Sequence, residues 1–466
     1  MKIIRFLKET FNPMKVLLII VLVSGFFSLN SLGSEINRED AVSSRLSLES
    51  QPVEDSGPVS MSANSSSGLK ELIGTAFENN PGIRAARSRW QAAVEKYPQV
   101  KSLPDPVFSI THFPSPVETR LGANRNQFKF DQMIPGFGKL RLNGERTAKM
   151  AELSRLKYEI AVRDVITGLK VSYAELQYIQ AAIVLTQKNK NLTEELLKVA
   201  EREYGDGKAN LQDVLRAQSQ LAQATYDLLL LEELRRTEQT RINSLLGSDP
   251  ETPVIAVEPI TPGMPDLDIE SLYRLLETNR QEVLIADVEE EINYFSLGLA
   301  RKQGKPDFSV GLMYSSISDA VMPATKDSGR DAWGVMLGVK LPIWRTKNDS
   351  AVREAEFNVQ ASKSTRQDLV NKSYSTVKNL YFKIRTSSRL VDLYEKTLLP
   401  QARKSIELSE TWYNSGQASF SELLEAQSIW LNFELALDRA RTDLVQDTAR
   451  LEQAVGVSIM DAGQVK

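Results

Sequence analysis

Residues 204–218 read YGDGKANLQDVLRAQ, and residues 413–427 read YNSGQASFSELLEAQ. The two stretches align without a gap at a constant spacing of 209 residues, and the match runs on as far as Gly247 and Gly456. The identical pairs are Tyr204/Tyr413, Gly207/Gly416, Ala209/Ala418, Leu215/Leu424, Ala217/Ala426, Gln218/Gln427, Ser219/Ser428, Leu228/Leu437, Arg241/Arg450 and Gly247/Gly456. Repetition over such a long period indicates that one structural unit occurs twice in the chain.

The repeat continues upstream in each half, with small shifts of register. Glu78-Asn79-Asn80 pairs with Glu277-Thr278-Asn279, and Pro106–Ile110 pairs with Pro306–Val310. The sequence therefore predicts the same order of elements twice: an upstream helix, a pair of strands, a long helix, a turn and a return helix.

The long helix of the first half is predicted from Lys139 to Glu203, because no proline interrupts this stretch. At 1.5 Å per residue it would extend about 100 Å. The return helix, Asn210 to Leu246, is shorter by about the length of the upstream helix, Pro81 to Val100. We expect those two helices to stack end to end beside the long one.

The second half has the same proportions, with a long element from Thr346 to Trp412, a return helix from Ser419 to Val455 and an upstream helix from Arg280 to Lys302. Pro400 is expected to kink or break the long element, because its ring clashes with the preceding turn. A seven-residue apolar repeat follows the return helix at Leu423, Trp430, Leu437, Leu444 and Leu451. This period predicts lengthwise, coiled-coil packing.

The strand segments alternate with a period of two. Trp333, Val335, Leu337 and Val339 are large and apolar, whereas Gly334, Met336, Gly338 and Lys340 lie between them. The same alternation begins at Phe308 and at Phe128. Strands of a membrane barrel show this pattern, although a water-soluble sheet with one buried face fits each strand equally well. Four strands cannot close a barrel, for which eight is the practical minimum, so a barrel would require several copies of the chain.

Composition narrows the possible functions. The net charge is -3, from 57 basic and 60 acidic residues, so nucleic acid is not an expected partner. The chain has no cysteine and a single histidine, His112, which removes thiol nucleophiles, disulfides and Cys/His zinc sites. The chain also lacks a phosphate-binding glycine loop, and a Ser-His-Asp triad would have to use His112, which is in a strand-like run. We therefore expect no catalytic residue, metal or cofactor.

The N-terminus has the features of a secretory signal peptide, with basic residues before the apolar run Val16 to Phe27. Twelve apolar residues are short for an uncleaved spanning helix, which is the alternative. No later stretch approaches 18 apolar residues, and no cysteine follows the run, so N-terminal lipidation is not expected. The predicted boundaries are 1–33 for the signal peptide, 34–67 for a flexible leader, 68–250 and 269–458 for the repeats, 251–268 for a linker and 459–466 for a tail.

The duplicated Tyr-x-x-Gly-x-Ala turn, together with Leu103-Pro104-Asp105-Pro106 and Gln132–Leu140, resembles the TolC family of outer-membrane efflux proteins over nearly the whole chain from Leu69 to Gly456. The resemblance implies a mixed α+β membrane protein, in which a homotrimer forms a twelve-stranded transmembrane β-barrel, four strands per chain, continued by a long α-helical periplasmic barrel. It also implies contact with outer-membrane lipid, a periplasmic adaptor and an inner-membrane pump of the RND, ABC or MFS type. The cargo is left open among drugs, metal ions, proteins and polysaccharide.

The resemblance implies two groups of site residues. The helix turns would form the tunnel tip that docks the adaptor, through Tyr204, Gly207, Ala209, Tyr413, Gly416 and Ala418. A periplasmic gate would consist of Asp213, Glu422, Glu425 and Tyr413. The family's constricting arginine is replaced by Ala418, so the closed-gate bonds of the best-known member do not transfer intact. Spacing alone favours solvated charges on a helix surface for these acids, and the gate assignment depends on the duplicated turn and the resemblance.

Two other classes of function remain as alternatives. A periplasmic coiled-coil adaptor or scaffold would share the signal peptide and the seven-residue repeat, but it would not need a strand pair in each half. An enzyme is the second alternative, but the chain has no cysteine, a single histidine and no phosphate-binding glycine loop. The preferred function is an outer-membrane exit duct of a tripartite efflux or type I secretion system.

Overall fold

The computed structural model describes residues 68–254, 268–322 and 326–459. The predicted signal peptide, the leader, most of the linker and most of the tail lie outside these ranges. The first half consists of α1 (Leu69–Asn79), α2 (Pro81–Val94), α3 (Lys96–Lys101), β1 (Val107–Thr119), β2 (Gly122–Ile134), α4 (Lys139–Gly205) and α5 (Leu211–Leu246). The second half consists of α6 (Ile269–Asn279), α7 (Gln281–Gln303), β3 (Asp307–Ile317), β4 (Ala332–Lys340), α8 (Arg345–Leu393), a π-helical turn (Tyr394–Leu398), α9 (Leu399–Asn414) and α10 (Phe420–Val455). The predicted elements and their order are therefore present, with boundaries that differ by one or two residues for the long helices.

One predicted register is wrong by a single residue. Gly247, which ends α5, lies against the carbonyl of Asn79, and Gly456, which ends α10, lies against the carbonyl of Asn279. Asn79 is thus the counterpart of Asn279, at a spacing of 200 residues, whereas the sequence alignment paired Asn80 with Asn279. The backbone contact fixes the correspondence, because both glycines adopt left-handed φ angles of 71° and 84° where they meet these carbonyls.

The interruption predicted at Pro400 is present in the second long helix. The backbone changes to a π-helical turn at Tyr394–Leu398, and α9 begins at Leu399 with the proline in its first turn. A proline fits there because it has no N–H to donate to the preceding turn. The first long helix, α4, runs for 67 residues without a break.

The four strands form one antiparallel sheet in the order β1-β2-β3-β4. Its register places Phe108 opposite Phe130, Phe130 opposite Leu312, and Leu312 opposite Val335. These residues alternate with Ser109, Lys129, Gly311 and Met336, which fall on the other face. One face is therefore apolar across all four strands, and its members on β4, including Val335 and Leu337, are exposed in the single chain.

The two largest apolar clusters of the described residues lie in different halves of the helical region. One lies between α1, α4 and α5 and centres on Leu72, Leu169, Tyr173 and Ile242. The other lies between α6, α8 and α10 and centres on Leu276, Val377, Leu444 and Leu451. The seven-residue stripe of α10 is mostly buried, as the coiled-coil period predicted.

The two halves meet where α4 packs against α7 and α10. Part of the contact with α10 is polar: Arg439 of α10 binds Glu175 of α4 at 2.8 Å, and Lys170 of α4 binds Glu452 of α10 at 2.6 Å. Among the residues described, no helix is both long and apolar enough to cross a membrane.

Candidate functional site

The two helix turns have nearly the same backbone geometry. Gly207 and Gly416 adopt left-handed φ angles of 73° and 72°. In the first turn the N–H of Lys208 donates to the carbonyl of Glu203 at 2.8 Å, and in the second the N–H of Gln417 donates to the carbonyl of Trp412 at 2.8 Å. These bonds satisfy carbonyls at a helix end, as in a Schellman-type cap, and they require the positive φ that glycine supplies.

The helices that follow the turns start differently. Ser419 and Glu422 form a capping box at the start of α10: the N–H of Ser419 donates to Oε2 of Glu422 at 2.9 Å, and the N–H of Glu422 donates to Oγ of Ser419 at 3.3 Å. Asn210, in the equivalent place before α5, makes no side-chain cap. Glu422 therefore has a structural role that the sequence prediction missed, although its spacing from Ser419 is the signature of a capping box.

Tyr413 joins the two helix turns. Its hydroxyl donates to Oε2 of Glu203 at 2.6 Å, and its ring lies 5.8 Å from that of Phe420. Burial, the hydrogen bond to Glu203 and the nearby charges of Glu203 and Asp213 raise the pKa of Tyr413 above its usual value of 10. The phenol is therefore a neutral donor throughout the physiological pH range.

An apolar cluster supports this contact. It comprises Ala200, Val214, Ala217, Phe420 and Leu424, with Leu196, Leu197 and Tyr413 packed against it. Four helices contribute to it, so the turn of the second half is fixed against the turn of the first. Tyr204, the counterpart of Tyr413, is instead exposed in the single chain.

The predicted gate acids occupy three different surroundings. Asp213 lies close enough to Tyr413 to influence its pKa, and Glu422 is held in its capping box. Glu425 lines a groove of about 600 Å³ between α5 and α10, together with Arg216. The guanidinium of Arg216 also forms a short hydrogen bond with Ser421, so a basic residue accompanies the acids at this end of the helices.

The structure thus brings Tyr413 and Asp213 together but does not gather all three acids within one chain. In residues 68–254, 268–322 and 326–459, no three His, Cys, Asp or Glu side chains are grouped so that they could hold a metal ion. Sequence reasoning also missed Glu203 and Arg216. Neither has a local signature, because their partners Tyr413 and Ser421 lie about 200 residues away in the chain.

Comparisons with known proteins agree with this architecture. The family profile described as "Outer membrane efflux protein" matches residues 72–248 and again residues 272–457. The chain is 21% identical over 407 residues to the outer membrane protein TolC of Vibrio cholerae serotype O1, a match that covers 83% of this chain and 90% of that protein.

Solved structures give the same result for the fold. The outer-membrane channel OprN superposes with a TM-score of 0.70 at 20% identity, covering 83% of this chain and 89% of that one. The outer membrane protein VceC of Vibrio cholerae superposes with a TM-score of 0.70 at 18% identity, covering 84% and 96%. Since the family profile matches most of the chain, and matches it twice, this protein belongs to the outer membrane efflux protein family.

Proposed function

We propose that this protein is an outer-membrane exit duct, which passes substrates from an inner-membrane pump through a periplasmic tunnel to the exterior. The observation that carries the proposal is the four-stranded sheet: one of its faces is apolar and exposed, while the other carries small and polar side chains. Lipid would contact the first face and water the second. The family membership supports the same function.

Three copies would complete the barrel with twelve strands. The free edges of the sheet, β1 and β4, would pair between neighbouring copies, since four strands are too few to close. The helices support the same assembly. Exposed apolar residues on α5 include Tyr226, Leu229 and Leu230, and those on α8 and α9 include Phe382, Leu393 and Leu408.

These two apolar surfaces lie at opposite ends of the row of helices. Within the described chain, α4 packs against α5 and α10, and α10 packs against α8 and α9. The row therefore runs α5, α4, α10, then α8 and α9. A closed ring would bring α5 of one copy against α8 and α9 of the next and so bury both surfaces.

The helix turns would form the periplasmic tip. They would dock a periplasmic adaptor, which links the duct to a pump of the RND, ABC or MFS type. The residues of this docking surface would be Tyr204, Gly207, Ala209, Tyr413, Gly416 and Ala418. A narrow entrance at the tip would be surrounded by three copies each of Asp213, Glu422 and Glu425, whose negative charge would favour cations. The nearby Arg216 would offset part of this charge.

The test is cell fractionation followed by reconstitution. The full-length protein should sediment with outer membranes, change its gel mobility on heating and form ion-conducting pores in a planar bilayer. A protein released with the periplasmic contents, which forms no pore, would instead be the adaptor or scaffold.

A further inference from the structure

Three side chains in the second half, two of them buried and one half-buried, lie against the first half at the helix turns. We call Tyr413, Phe420 and Leu424 the second tip set. Phe420 and Leu424 are only 4% and 2% exposed, and the Tyr413 hydroxyl is bound by Glu203. They lie against a surface of α4 that includes Leu197, Ala200 and Glu203, which we call the first receiving face.

The first half carries the same set without a partner. At the constant spacing of 209 residues, the counterparts are Tyr204, Leu211 and Leu215, the first tip set. These residues are 48%, 51% and 53% exposed. Positions that are buried in one half are therefore open in the other, and each open position holds a large apolar side chain that would be stabilised by burial.

The second half also carries a counterpart of the receiving face. Leu197, Ala200 and Glu203 correspond to Ile406, Ser409 and Trp412 on α9. Trp412 is exposed, and apart from the contact of Tyr413 with the end of α4, α9 packs laterally against α10 in the described chain. One chain thus has both an unfilled tip set and an unfilled receiving face.

The two surfaces do not meet within one chain, because Leu211, Leu215 and Trp412 all stay exposed there. We propose that the first tip set of one copy packs on the second receiving face, Ile406, Ser409 and Trp412, of the neighbouring copy. This inference rests on the proposed duct, since only a ring of copies brings the two surfaces together.

The polar residues beside the tip sets support the pairing. Within the chain, Arg216 of the first half donates to Ser421 of the second. The counterparts of these two residues are Glu425 and Gln212. A carboxamide can donate to a carboxylate, so Gln212 of one copy and Glu425 of the next are chemically matched. The counterparts of Tyr413 and Glu203 are Tyr204 and Trp412. Two aromatic rings would therefore meet between copies at the place where a hydrogen bond forms within the chain.

The two kinds of contact at the tip differ in chemistry. Within a chain, the helix turns are joined by the hydrogen bond from Tyr413 to the carboxylate of Glu203, whereas the contact between neighbouring copies is mainly apolar. The contact between copies is therefore expected to resist salt, which screens exposed charges but not apolar burial.

The test uses the absence of cysteine from the natural chain. Full-length protein carrying Leu211→Cys and Ser409→Cys is treated in membranes with a short bifunctional maleimide and analysed on a denaturing gel. Leu211 is exposed and Ser409 partly so, which means that the folded chain should tolerate both substitutions. We expect covalent dimers and trimers. Phe420→Cys with Ala200→Cys, the matched pair in the cluster, should link within one chain and leave its mass unchanged.

A second control pairs Leu230→Cys with Ser409→Cys. Leu230 is likewise exposed on α5 but lies about 28 Å further along the helix, so no link between copies is expected. Native mass spectrometry of the uncrosslinked protein gives the number of copies separately. The inference would be overturned if the protein is a trimer but Leu211→Cys and Ser409→Cys do not link, or if Leu230→Cys links to Ser409→Cys equally well. Either result would leave the proposed duct function standing. The absence of trimers would overturn both.

Discussion

The hydroxyl of Tyr413 donates a hydrogen bond of 2.6 Å to Oε2 of Glu203, and this bond joins the end of α9 to the end of α4. Replacing Tyr413 with Phe removes the bond and keeps the ring against Phe420. A hydrogen bond to a charged group contributes about 1.5–3 kcal/mol, so the closed tip should open more often. The measurement is single-channel conductance, with Tyr204→Phe as the matched control. Equal conductance for both variants would show that Tyr413 does not hold the gate.

The same bond predicts a response to alkaline pH. The pKa of Tyr413 is raised by burial and by the bond to Glu203, so its contribution is fully present below the usual value of 10 and is lost progressively as the pH rises from 10 to the raised value. Conductance of the native channel should therefore stay constant up to pH 10 and increase only above it. An opening transition below pH 10 that is absent from Tyr413→Phe would contradict this prediction.

The left-handed φ of 72° at Gly416 predicts a specific defect at the tip. Gly416→Val should weaken adaptor crosslinking, because a β-branched residue in that conformation costs about 1–2 kcal/mol. Gly416→Asn is the control, since asparagine adopts the left-handed region more readily. Both variants should insert their barrels normally. If Val and Asn behave alike, the backbone conformation at this turn does not determine docking.

The acids of the second turn predict block by multivalent cations. Lanthanum added on the periplasmic side should reduce conductance, and the reduction should weaken at high salt. Glu422→Gln together with Glu425→Gln should relieve the block while keeping the capping box, because glutamine can also complete it. Arg216→Gln should instead strengthen the block. A native channel that resists lanthanum, or a double variant that is blocked as readily, would place the gate elsewhere.

A half-buried ion pair predicts acid sensitivity of the helical region. Arg163 binds Glu282 through two hydrogen bonds of 2.9 and 2.6 Å. Burial alone would raise the pKa of Glu282, but the bonds from Arg163 outweigh it and lower the pKa from 4.5 to about 2. The stabilisation is therefore present above pH 4.5 and lost as the pH falls towards 2.

Glu282→Gln should lower the free energy of unfolding at pH 7 by about 1.5–3 kcal/mol, and it should flatten the pH dependence in the acid range. Thermal unfolding between pH 2 and 7 measures both effects. Asp368→Asn is the control, because its pair with Lys372 is mostly exposed. An unchanged acid transition in Glu282→Gln would show that other carboxylates dominate it.

Sequence periodicity was enough to predict the elements of the fold. Helix lengths followed from the absence of proline in α4, and the interruption near Leu399 followed from Pro400. The positive φ at Gly207 and Gly416 fits their place in the repeated turn, at the end of a helix. These features depend on residues close together in the chain, which is why one sequence suffices for them.

The contacts of the site could not be predicted in the same way. The bonds of Tyr413 to Glu203 and of Arg216 to Ser421 connect halves of the chain whose relative placement depends on packing between α4 and α10. The position of Asn279 was misjudged by one residue because side-chain identity suggested one register and backbone contact at Gly456 fixed another. Glu422 was assigned to the gate from the family resemblance, and its partner Ser419 was overlooked.

Two adjacent residues on β4 test the two faces of the sheet. Leu337 lies on the apolar face and Met336 on the opposite one. Cysteine at position 337 should react with a lipid-soluble reagent, whereas cysteine at position 336 should react with a water-soluble maleimide added from outside. Equal labelling of both positions by the aqueous reagent would indicate a sheet surrounded by water.

The central claim is that each chain supplies four strands of a barrel that needs several chains, and the number of copies in the detergent-extracted particle tests it most directly. Native mass spectrometry of the full-length protein, purified from outer membranes in its pore-forming state, should give a single species of three copies. A pore-forming particle that contains one copy, with the β1-β2-β3-β4 sheet still folded, would contradict the account.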